Sequence, residues 1–288
     1  MASKVNCRTG FSRDLLAPGS ILVPRCRNGE LGSMLEASAL SKSYASIPAV
    51  SNVSFSLEPG QVLGCLGPNG SGKSTTVKML TGLLQPTRGK VLFRGEDIRE
   101  DLAGFRKCLG YVPEEPNLYP YLSGREYLEI IAILRGMSPA RRGARLDALL
   151  NLFAMYSHRD GVIGSYSKGM RQRILLIAAL MDNPPILILD EPMSGLDATT
   201  ALILKNLIKG LGRQGRAVFY CSHVMEVVEQ VCSHLLILRK GDVVASGTME
   251  SIQQNANYSP LEQTFMHLVE EVDTDQVSGE IIAAMDSG

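Results

Sequence analysis

The segment Gly67–Thr75, GPNGSGKST, places small and turn-forming residues ahead of a lysine and two hydroxyls. It fits the pattern G-x-x-x-x-G-K-[ST], which is typical of a phosphate-binding loop. Glycines let backbone N–H groups approach phosphate oxygens, because a Cβ atom would block the way. Lys73 can then reach the β- and γ-phosphates of a nucleotide, and the Ser74 hydroxyl can ligate Mg²⁺. The full match to the pattern disfavours the alternative, an ordinary glycine-rich turn.

Three further polar residues follow apolar segments later in the chain. Asp190 and Glu191 come directly after ILIL, and His223 closely follows AVFYC. Ligands bind beyond the carboxyl ends of the strands in open α/β sheets, so we expect these side chains beside the phosphate-binding loop. Asp190 is placed to hold Mg²⁺, directly or through water, and Glu191 to polarise an attacking water. His223 could reach a γ-phosphate, although a lone histidine is more often structural, and an isolated Asp-Glu pair is as often part of a turn.

A basic segment, SYSKGMRQR at residues 165–173, leads into a strongly apolar helical pattern that begins at Gly169. Lys168, Arg171 and Arg173 crowd its first turn, where positive charge opposes the helix dipole. A bound phosphate would offset that repulsion. The alternative is that these cations simply point to solvent, and the segment alone does not decide between the two.

Strands must position the loop and the acidic pair. The run QVLGCLG predicts a buried strand before the loop, and STTVKMLTGLL predicts a helix after it that stops before Pro86. Alternating strands and helices around a phosphate-binding loop predict a mainly parallel sheet that is covered on both faces. Further strands are predicted at residues 35–44, 49–60, 90–95, 108–113, 186–189, 217–221 and 234–247, the last with a turn at 240–242.

The segment from about residue 114 to 165 carries helical patterns and no strand pattern. Ser123 and Glu126 form a capping box, S-x-x-E, ahead of REYLEIIAILRGM. Pro139 stands at the first turn of a second predicted helix, over residues 139–155. We therefore expect a helical insertion within the α/β domain.

Composition narrows the class of protein. The 288 residues carry 29 basic and 29 acidic side chains, so net charge gives no indication of nucleic-acid binding. The six cysteines include no C-x-x-C pair, and Cys65, Cys108 and Cys221 lie in apolar runs that favour buried free thiols. No apolar run approaches the ~18 residues that span a bilayer, and the N-terminus lacks the apolar core of a signal peptide. Residues 1–33 are predicted to be a disordered, dispensable extension.

These segments, in this order, resemble the nucleotide-binding subunit of ABC transporters over about residues 35–250. The phosphate-binding loop matches Walker A, ILILDEP matches Walker B with its following glutamate, and SGLD at 194–197 matches the D-loop. SH at 222–223 matches the switch histidine, and Tyr44 matches the aromatic residue that stacks on adenine. YSKGM at 166–170 stands where the family has its signature, LSGGQ.

The resemblance implies an α/β fold, with a P-loop NTPase (RecA-like) core, an antiparallel β subdomain and an inserted α-helical subdomain at about 115–170. It assigns residues 34–255 to the ATPase domain and residues 256–288 to a C-terminal helix and flexible tail. It further implies that two subunits, identical or closely paralogous, face each other. ATP with Mg²⁺ would then be trapped between Walker A of one subunit and the signature of the other.

The predicted site divides into three groups of residues. Catalysis is assigned to Glu191, His223 and Lys73. The metal ligands are Ser74, Glu114 and Asp190. The nucleotide-binding residues, acting within one subunit or across to its partner, are Tyr44, Gly67, Pro68, Asn69, Gly70, Ser71, Gly72, Lys73, Ser74, Thr75, Ser167, Gly169 and Asp197.

Three positions depart from the family pattern. Lys168 and Met170 replace a glycine and a glutamine of the signature, and Glu114 stands where the Q-loop has its glutamine. Glutamate keeps a side-chain oxygen for Mg²⁺ but adds a charge. These variants resemble those of transporters with ABC-2-type membrane subunits, which are mostly exporters.

The resemblance therefore implies an ATPase that powers transport, with export as the expected direction, through separate polytopic membrane permease subunits. The chain would be cytoplasmic, bound peripherally to the inner face of the cell membrane, with no nucleic-acid partner. Two alternatives stay open: a soluble ABC-type ATPase in DNA repair, translation or cluster assembly, and a non-catalytic nucleotide-binding regulator. Intact Lys73, Asp190, Glu191 and His223 disfavour the regulator.

Overall fold

Two β-sheets organise the part of the chain that this computed structural model describes, namely residues 32–256, 261–269 and 284–285. Most of the predicted N-terminal extension and most of the predicted C-terminal tail lie outside the described residues. In chain order the strands are β1 Leu35–Tyr44, β2 Ile47–Leu57, β3 Val62–Leu66, β4 Arg88–Phe93, β5 Glu96–Asp97, β6 Leu109–Val112, β7 Ile186–Asp190, β8 Ala217–Cys221, β9 His234–Arg239 and β10 Asp242–Thr248.

Helices pack against both faces of one of these sheets and against one face of the other. Among the described residues, no helix is both long enough and apolar enough to cross a membrane. In chain order the helices are α1 Lys73–Leu80, α2 Leu102–Cys108, α3 Gly124–Leu134, α4 Pro139–Leu152, α5 Lys168–Leu180, α6 Ala198–Arg213, α7 Met225–Val231, α8 Met249–Ala256 and α9 Leu261–Val269.

The smaller sheet is antiparallel and has the strand order β2-β1-β4-β5. Buried and more accessible residues alternate over residues 35–38 and 53–57, because only one face of this sheet packs on the core, and irregular register interrupts the alternation elsewhere. This is the half-buried pattern predicted for residues 35–44 and 49–60, although β2 begins earlier than predicted, at Ile47.

The larger sheet has the order β10-β9-β3-β8-β7-β6, in which β10 is an antiparallel edge and the other five strands are parallel. Every residue of β3, β7 and β8 is buried, as expected for continuously apolar strands covered on both faces. The register pairs Cys221 with both Cys65 and Asp190. The carboxyl ends of these three strands therefore meet at one edge of the sheet, where the phosphate-binding loop begins.

Successive side chains of the parallel sheet point into two different hydrophobic clusters. Cys65, Ile188 and Phe219 belong to the cluster that includes residues of α1 and the antiparallel sheet. Leu189 and Tyr220 belong to the cluster that includes residues of α3, α4, α5 and α6. The sheet is thus covered on both faces, and the predicted fold class is confirmed.

The region predicted to be helical, at about residues 115–170, contains α3 and α4, which pack against each other and against α5. Its capping box is present, because the Glu126 amide donates to Ser123 Oγ at 3.2 Å and the Ser123 amide donates to Glu126 Oε2 at 2.8 Å. Pro139 is the first residue of α4, as predicted. This region joins the parallel sheet through α5, whose second half is buried against it.

The helix after the phosphate-binding loop is shorter than the sequence predicts. Its apolar pattern runs over residues 74–84, whereas α1 ends at Leu80. Gly82 adopts a left-handed φ of +67°, and the next two amides both donate to the Lys78 carbonyl at 2.9 Å. The apolar pattern continues past this C-terminal cap, so periodicity alone overextends the helix.

Helix α2 was not predicted from the sequence, and a cysteine within it is less buried than predicted. Asp101 caps α2 by accepting a hydrogen bond from the Gly104 amide at 2.8 Å, but the helix is too short to show a clear period. Cys108, its last residue, is half-buried rather than buried. Cys65 and Cys221 are buried free thiols, as predicted.

Candidate functional site

The loop between β3 and α1 depends on glycine at two positions. A Cβ atom on Gly67 would lie 2.3 Å from Ser71 Oγ, and one on Gly72 would lie 2.6 Å from the Ala49 carbonyl oxygen. Gly72 also adopts a φ of +102° and provides no side-chain cap for α1. The free amides of the first turn of α1 are therefore left for an external acceptor such as a phosphate.

Lys73 is held across this loop. Its ammonium donates to the carbonyl oxygens of Gly67 at 2.5 Å and Pro68 at 3.0 Å. These contacts fix a positive charge beside the open amides of α1. A concave backbone with a fixed cation fits the phosphates of a nucleotide.

A cavity of about 290 Å³ opens over the loop. It brings together side chains from five separate segments of the chain. The lining residues are Ala49, Asn69, Gly70, Gly72, Lys73, Ser74, Thr75, Glu114, Asp190, Glu191 and His223. All of these except Ala49 were predicted from the sequence.

Carboxylates concentrate negative charge on the side of the cavity facing Lys73. Asp190 ends β7 and is only 6% exposed. Burial, followed by the nearby carboxylates of Glu114 and Glu191, raises the pKa of Asp190 to about 6, against the opposing effect of Lys73. With the Ser74 hydroxyl in the same cavity, these oxygens are the ligands that a hard cation such as Mg²⁺ prefers. The donor set fits the metal that the sequence predicts.

Glu191 is held in place by the end of β8. Its φ of +46° lies in the left-handed region, and its amide donates to the Cys221 carbonyl at 3.0 Å. Its carboxylate accepts hydrogen bonds from Ser222 Oγ at 3.0 Å and from the His223 amide at 2.8 Å. His223 Nδ1 lies 2.7 Å from the same oxygen that the amide binds, Oε1. Two of the three predicted catalytic side chains, Glu191 and His223, are thus in direct contact.

The N-terminus of α5 lies outside the cavity. Ser167 caps this helix by accepting a hydrogen bond from the Met170 amide at 3.2 Å. Gly169 packs closely on the turn at Gly195, since a Cβ atom there would lie 2.5 Å from the Gly195 carbonyl oxygen. The Lys168 stem lies over the same turn, with its Cγ 3.0 Å from the Cβ position of Gly195.

The predicted crowding of cations at α5 is partly relieved. Arg173 forms an ion pair with Asp197, whereas Lys168 is exposed and Arg171 is half-buried. Asp197 caps α6, and its hydrogen bonds from Thr200, whose amide lies at 2.9 Å, lower the pKa of Asp197 to about 2. The hydrogen bond from the Arg173 side chain contributes to the same lowering of the pKa of Asp197.

Several predicted nucleotide-binding residues do not line the cavity. Ser167, Gly169 and Asp197 form the separate surface at α5 and α6, and Tyr44, 48% exposed, ends β1. Gly67, Pro68 and Ser71 support the loop from beneath through the contacts described above.

Two buried polar residues beside the site were missed. Ser222 binds Glu191, and Gln172, fully buried in α5, donates from Nε2 to the Pro192 carbonyl at 3.0 Å. A polar residue inside the apolar run of α5 is a signal that could have singled out Gln172. Ser222 shows no such signal apart from its place next to His223.

Comparison with known proteins places this geometry among ATP-binding cassettes. A family profile described as ABC transporter matches residues 50–194. The ABC-type transporter ATP-binding protein EcsA of Bacillus subtilis (strain 168) is 33% identical over 83% of this chain and 98% of that protein. The Nod factor export ATP-binding protein I of Cupriavidus metallidurans is 35% identical over 75% of this chain and 71% of that protein.

A solved structure supports the same comparison. The dimeric post-hydrolysis state of an ATP-binding cassette, bound to ADP and Pi, superimposes with a TM-score of 0.69 at 27% identity. The match covers 75% of this chain and 99% of that one.

Proposed function

This chain belongs to the ABC transporter family as an ATP-binding subunit with ATPase activity, and we propose that it drives export through separate membrane subunits. The observation that carries ATP hydrolysis, the basis of the proposal, is that Lys73, Asp190 and Glu191 line the same cavity. It combines a phosphate cradle, a carboxylate for the metal and a carboxylate for water.

Nucleotide binding is proposed to rest on the loop. The open amides of α1 and the Lys73 ammonium would hold the β- and γ-phosphates, and the glycines would keep the backbone close to them. Tyr44 would stack on the adenine ring from the end of β1.

Mg²⁺ would be held by Ser74 and Asp190, with Glu114 as the additional oxygen ligand. When bound, the metal neutralises charge on the transferring phosphoryl group. Glu114 and Asp190 repel each other, because each is an acid within the same cavity. A cation between these groups would offset that repulsion.

Glu191 is proposed as the general base for hydrolysis. Its carboxylate faces the cavity while Ser222 and the His223 amide hold it from behind. It would take a proton from the attacking water, and water that loses a proton attacks phosphorus more readily. His223, which contacts Glu191 through Nδ1, is exposed enough to approach the γ-phosphate.

A second ATPase subunit, identical or closely paralogous, is the proposed partner across the nucleotide. Ser167 and Gly169 lie on a surface separate from the cavity of their own chain. A partner would bring its equivalent surface to this cavity, and the dimeric cassette of similar fold supports that arrangement. Asp197 forms an ion pair with Arg173 of α5, the helix that Ser167 caps, and would lie at the same interface.

Export is the proposed direction, at the inner face of the cell membrane. The variant residues Glu114, Lys168 and Met170 support it, as does the relative named for Nod factor export. Matches to transporter subunits favour this function over a soluble ATPase of DNA repair or translation. The permease partner would be a polytopic membrane protein.

Co-expression with any polytopic membrane protein that a neighbouring gene encodes tests the proposal. We expect the two chains to co-elute in detergent at a fixed ratio, with ATPase activity that changes when the membrane protein is present. Glu191→Gln serves as the control, because it should co-elute without turnover. A chain that elutes alone and whose ATPase activity ignores the membrane protein would contradict the transport function.

A further inference from the structure

The carboxylate of Glu191 is held by two neighbours of very different character. Ser222 is buried, with only 3% of its surface exposed, and its hydroxyl donates to Glu191 Oε2 at 3.0 Å. The His223 side chain, next to the other oxygen, is 73% exposed. Oε2 is thus held by a buried side chain, whereas Oε1 is held by the His223 amide at 2.8 Å and by the exposed His223 ring.

The direction of the Ser222 hydroxyl is itself determined. Its oxygen accepts a hydrogen bond from the Val224 amide at 3.2 Å, which occupies a lone pair. A serine hydroxyl has one proton to donate. With the amide on one side and Glu191 on the other, that proton points to the carboxylate.

The backbone of Glu191 is fixed, so only the torsion angles of its side chain are left to be constrained. The Glu191 amide is bound to the Cys221 carbonyl, and Asp190 is paired with Cys221 across the sheet. These bonds fix where the Glu191 Cα lies, but not which way its carboxylate turns. The Ser222 hydroxyl on Oε2 supplies that constraint together with the His223 amide on Oε1.

We propose that Ser222 is a positioning residue for Glu191. By holding Oε2 while the His223 amide holds Oε1, its hydroxyl fixes the plane of the Glu191 carboxylate at the edge of the cavity, where the attacking water must lie. Ser222 neither gives nor takes a proton in the reaction. The inference rests on the proposed role of Glu191 as general base.

Steady-state ATPase kinetics of Ser222→Ala test the inference. Loss of a hydrogen bond to a charged group predicts a kcat about ten- to a hundred-fold below wild type. KM for ATP should stay within about two-fold, because Ser222 does not line the cavity. Ser222→Thr, which keeps the hydroxyl, should restore most of kcat.

Ser233→Ala is the matched control for folding. Ser233 is an exposed serine whose hydroxyl binds the Val62 backbone at the opposite end of β3, donating to its carbonyl at 3.2 Å and accepting from its amide at 3.3 Å. It should keep wild-type kcat even if its melting temperature falls as far as that of Ser222→Ala. Equal loss of kcat in both variants would show a general packing effect and overturn the inference.

Two further outcomes separate this inference from the proposed function. Wild-type kcat in Ser222→Ala, alongside an inactive Glu191→Gln, would overturn the role of Ser222 and leave the base assignment intact. Near-normal turnover in Glu191→Gln would instead overturn the base assignment, whatever Ser222→Ala does.

Discussion

The N-termini of α1 and α5 both lie where phosphate is expected, yet they satisfy their free amides differently. Gly72 precedes α1 and provides no side-chain cap, so the first amides stay open. Ser167 precedes α5 and caps it with its own hydroxyl. An uncapped helix end surrounded by a cavity is ready for a ligand, whereas a capped end is already stable without one.

The charges around the two helix ends differ in the same sense. The α1 end faces Glu114, Asp190 and Glu191, an acidic group that a metal would balance. At the α5 end, Arg173 is already neutralised by Asp197. The cavity proposed to bind nucleotide thus lies at α1, and the N-terminus of α5 forms a separate, capped surface, which supports the proposal that a second subunit completes the site.

The largest effect should come from the base on the α1 side. We expect Glu191→Gln to lower turnover by about a hundred-fold or more, because a general base typically contributes about 10²–10⁴-fold. ATP binding should persist, and a closed dimer should accumulate on size-exclusion chromatography with ATP. Glu100→Gln, at an exposed site, is the matched control. Substantial turnover in Glu191→Gln would place the base elsewhere.

Loss of the Lys73 ammonium at α1 should weaken ATP binding, whereas loss of a lysine at α5 should not. Lys73→Ala removes a charged contact to phosphate, typically worth about 1.5–3 kcal/mol, so the isolated subunit should bind ATP roughly ten- to a hundred-fold more weakly. Lys168→Ala should leave that affinity unchanged, since Lys168 lies on the other surface. Calorimetric titration of both variants with ATP decides the comparison, and equal losses would contradict it.

Ser167 should matter for turnover but not for binding by one subunit. Ser167→Ala should reduce the ATPase rate about ten-fold, because the complementary surface loses its hydroxyl, while ATP affinity of the monomer stays constant. Loss of the cap should also lower the free energy of unfolding by about 1 kcal/mol. Ser123→Ala removes a comparable cap at α3 and should cost similar stability without the loss of turnover. A parallel loss of turnover in Ser123→Ala would reduce Ser167 to a helix cap.

The smallest effect concerns Glu114, at the edge of the α1 site. Glu114→Gln should stay active, since an oxygen ligand remains. Glu114→Ala should bind ATP but need several-fold more Mg²⁺ for half-maximal turnover, as measured in a magnesium titration. The exposed neighbour Glu115 provides the control, Glu115→Ala. If Glu114→Ala matched wild type across the titration, Glu114 would be only a surface carboxylate.

The contrast between the helix ends also explains what the sequence could predict. The phosphate-binding loop before α1 is one contiguous segment, so the order of its residues was enough to predict it, and the ends of the buried strands were predicted from continuous apolar runs. The C-terminal end of α1 was missed, because Gly82 stops the helix within an unbroken apolar pattern. Periodicity reports burial, and burial continues where the helix does not.

Contacts between distant segments could not be predicted in the same way. The bond from Ser222 to Glu191 depends on the register of β7 with β8 and on the left-handed backbone of Glu191. Neither feature leaves a local pattern. The ion pair of Arg173 with Asp197 similarly changed the expected excess of cations at α5 into a partly neutral surface.

In mechanical terms, α5 is the fixed support on which α3 and α4 rest. Gln172, fully buried, fastens α5 to the turn after Glu191 through the Pro192 carbonyl. The residues from Ile174 to Ala179 are sunk into the core beside the sheet. If α3 and α4 rotate relative to the sheet, α5 stays fixed, and the backbone bends in the segments that flank those two helices. The segment that contains Glu114 precedes α3 and is one of these flanking segments, so the rotation would begin at the edge of the cavity.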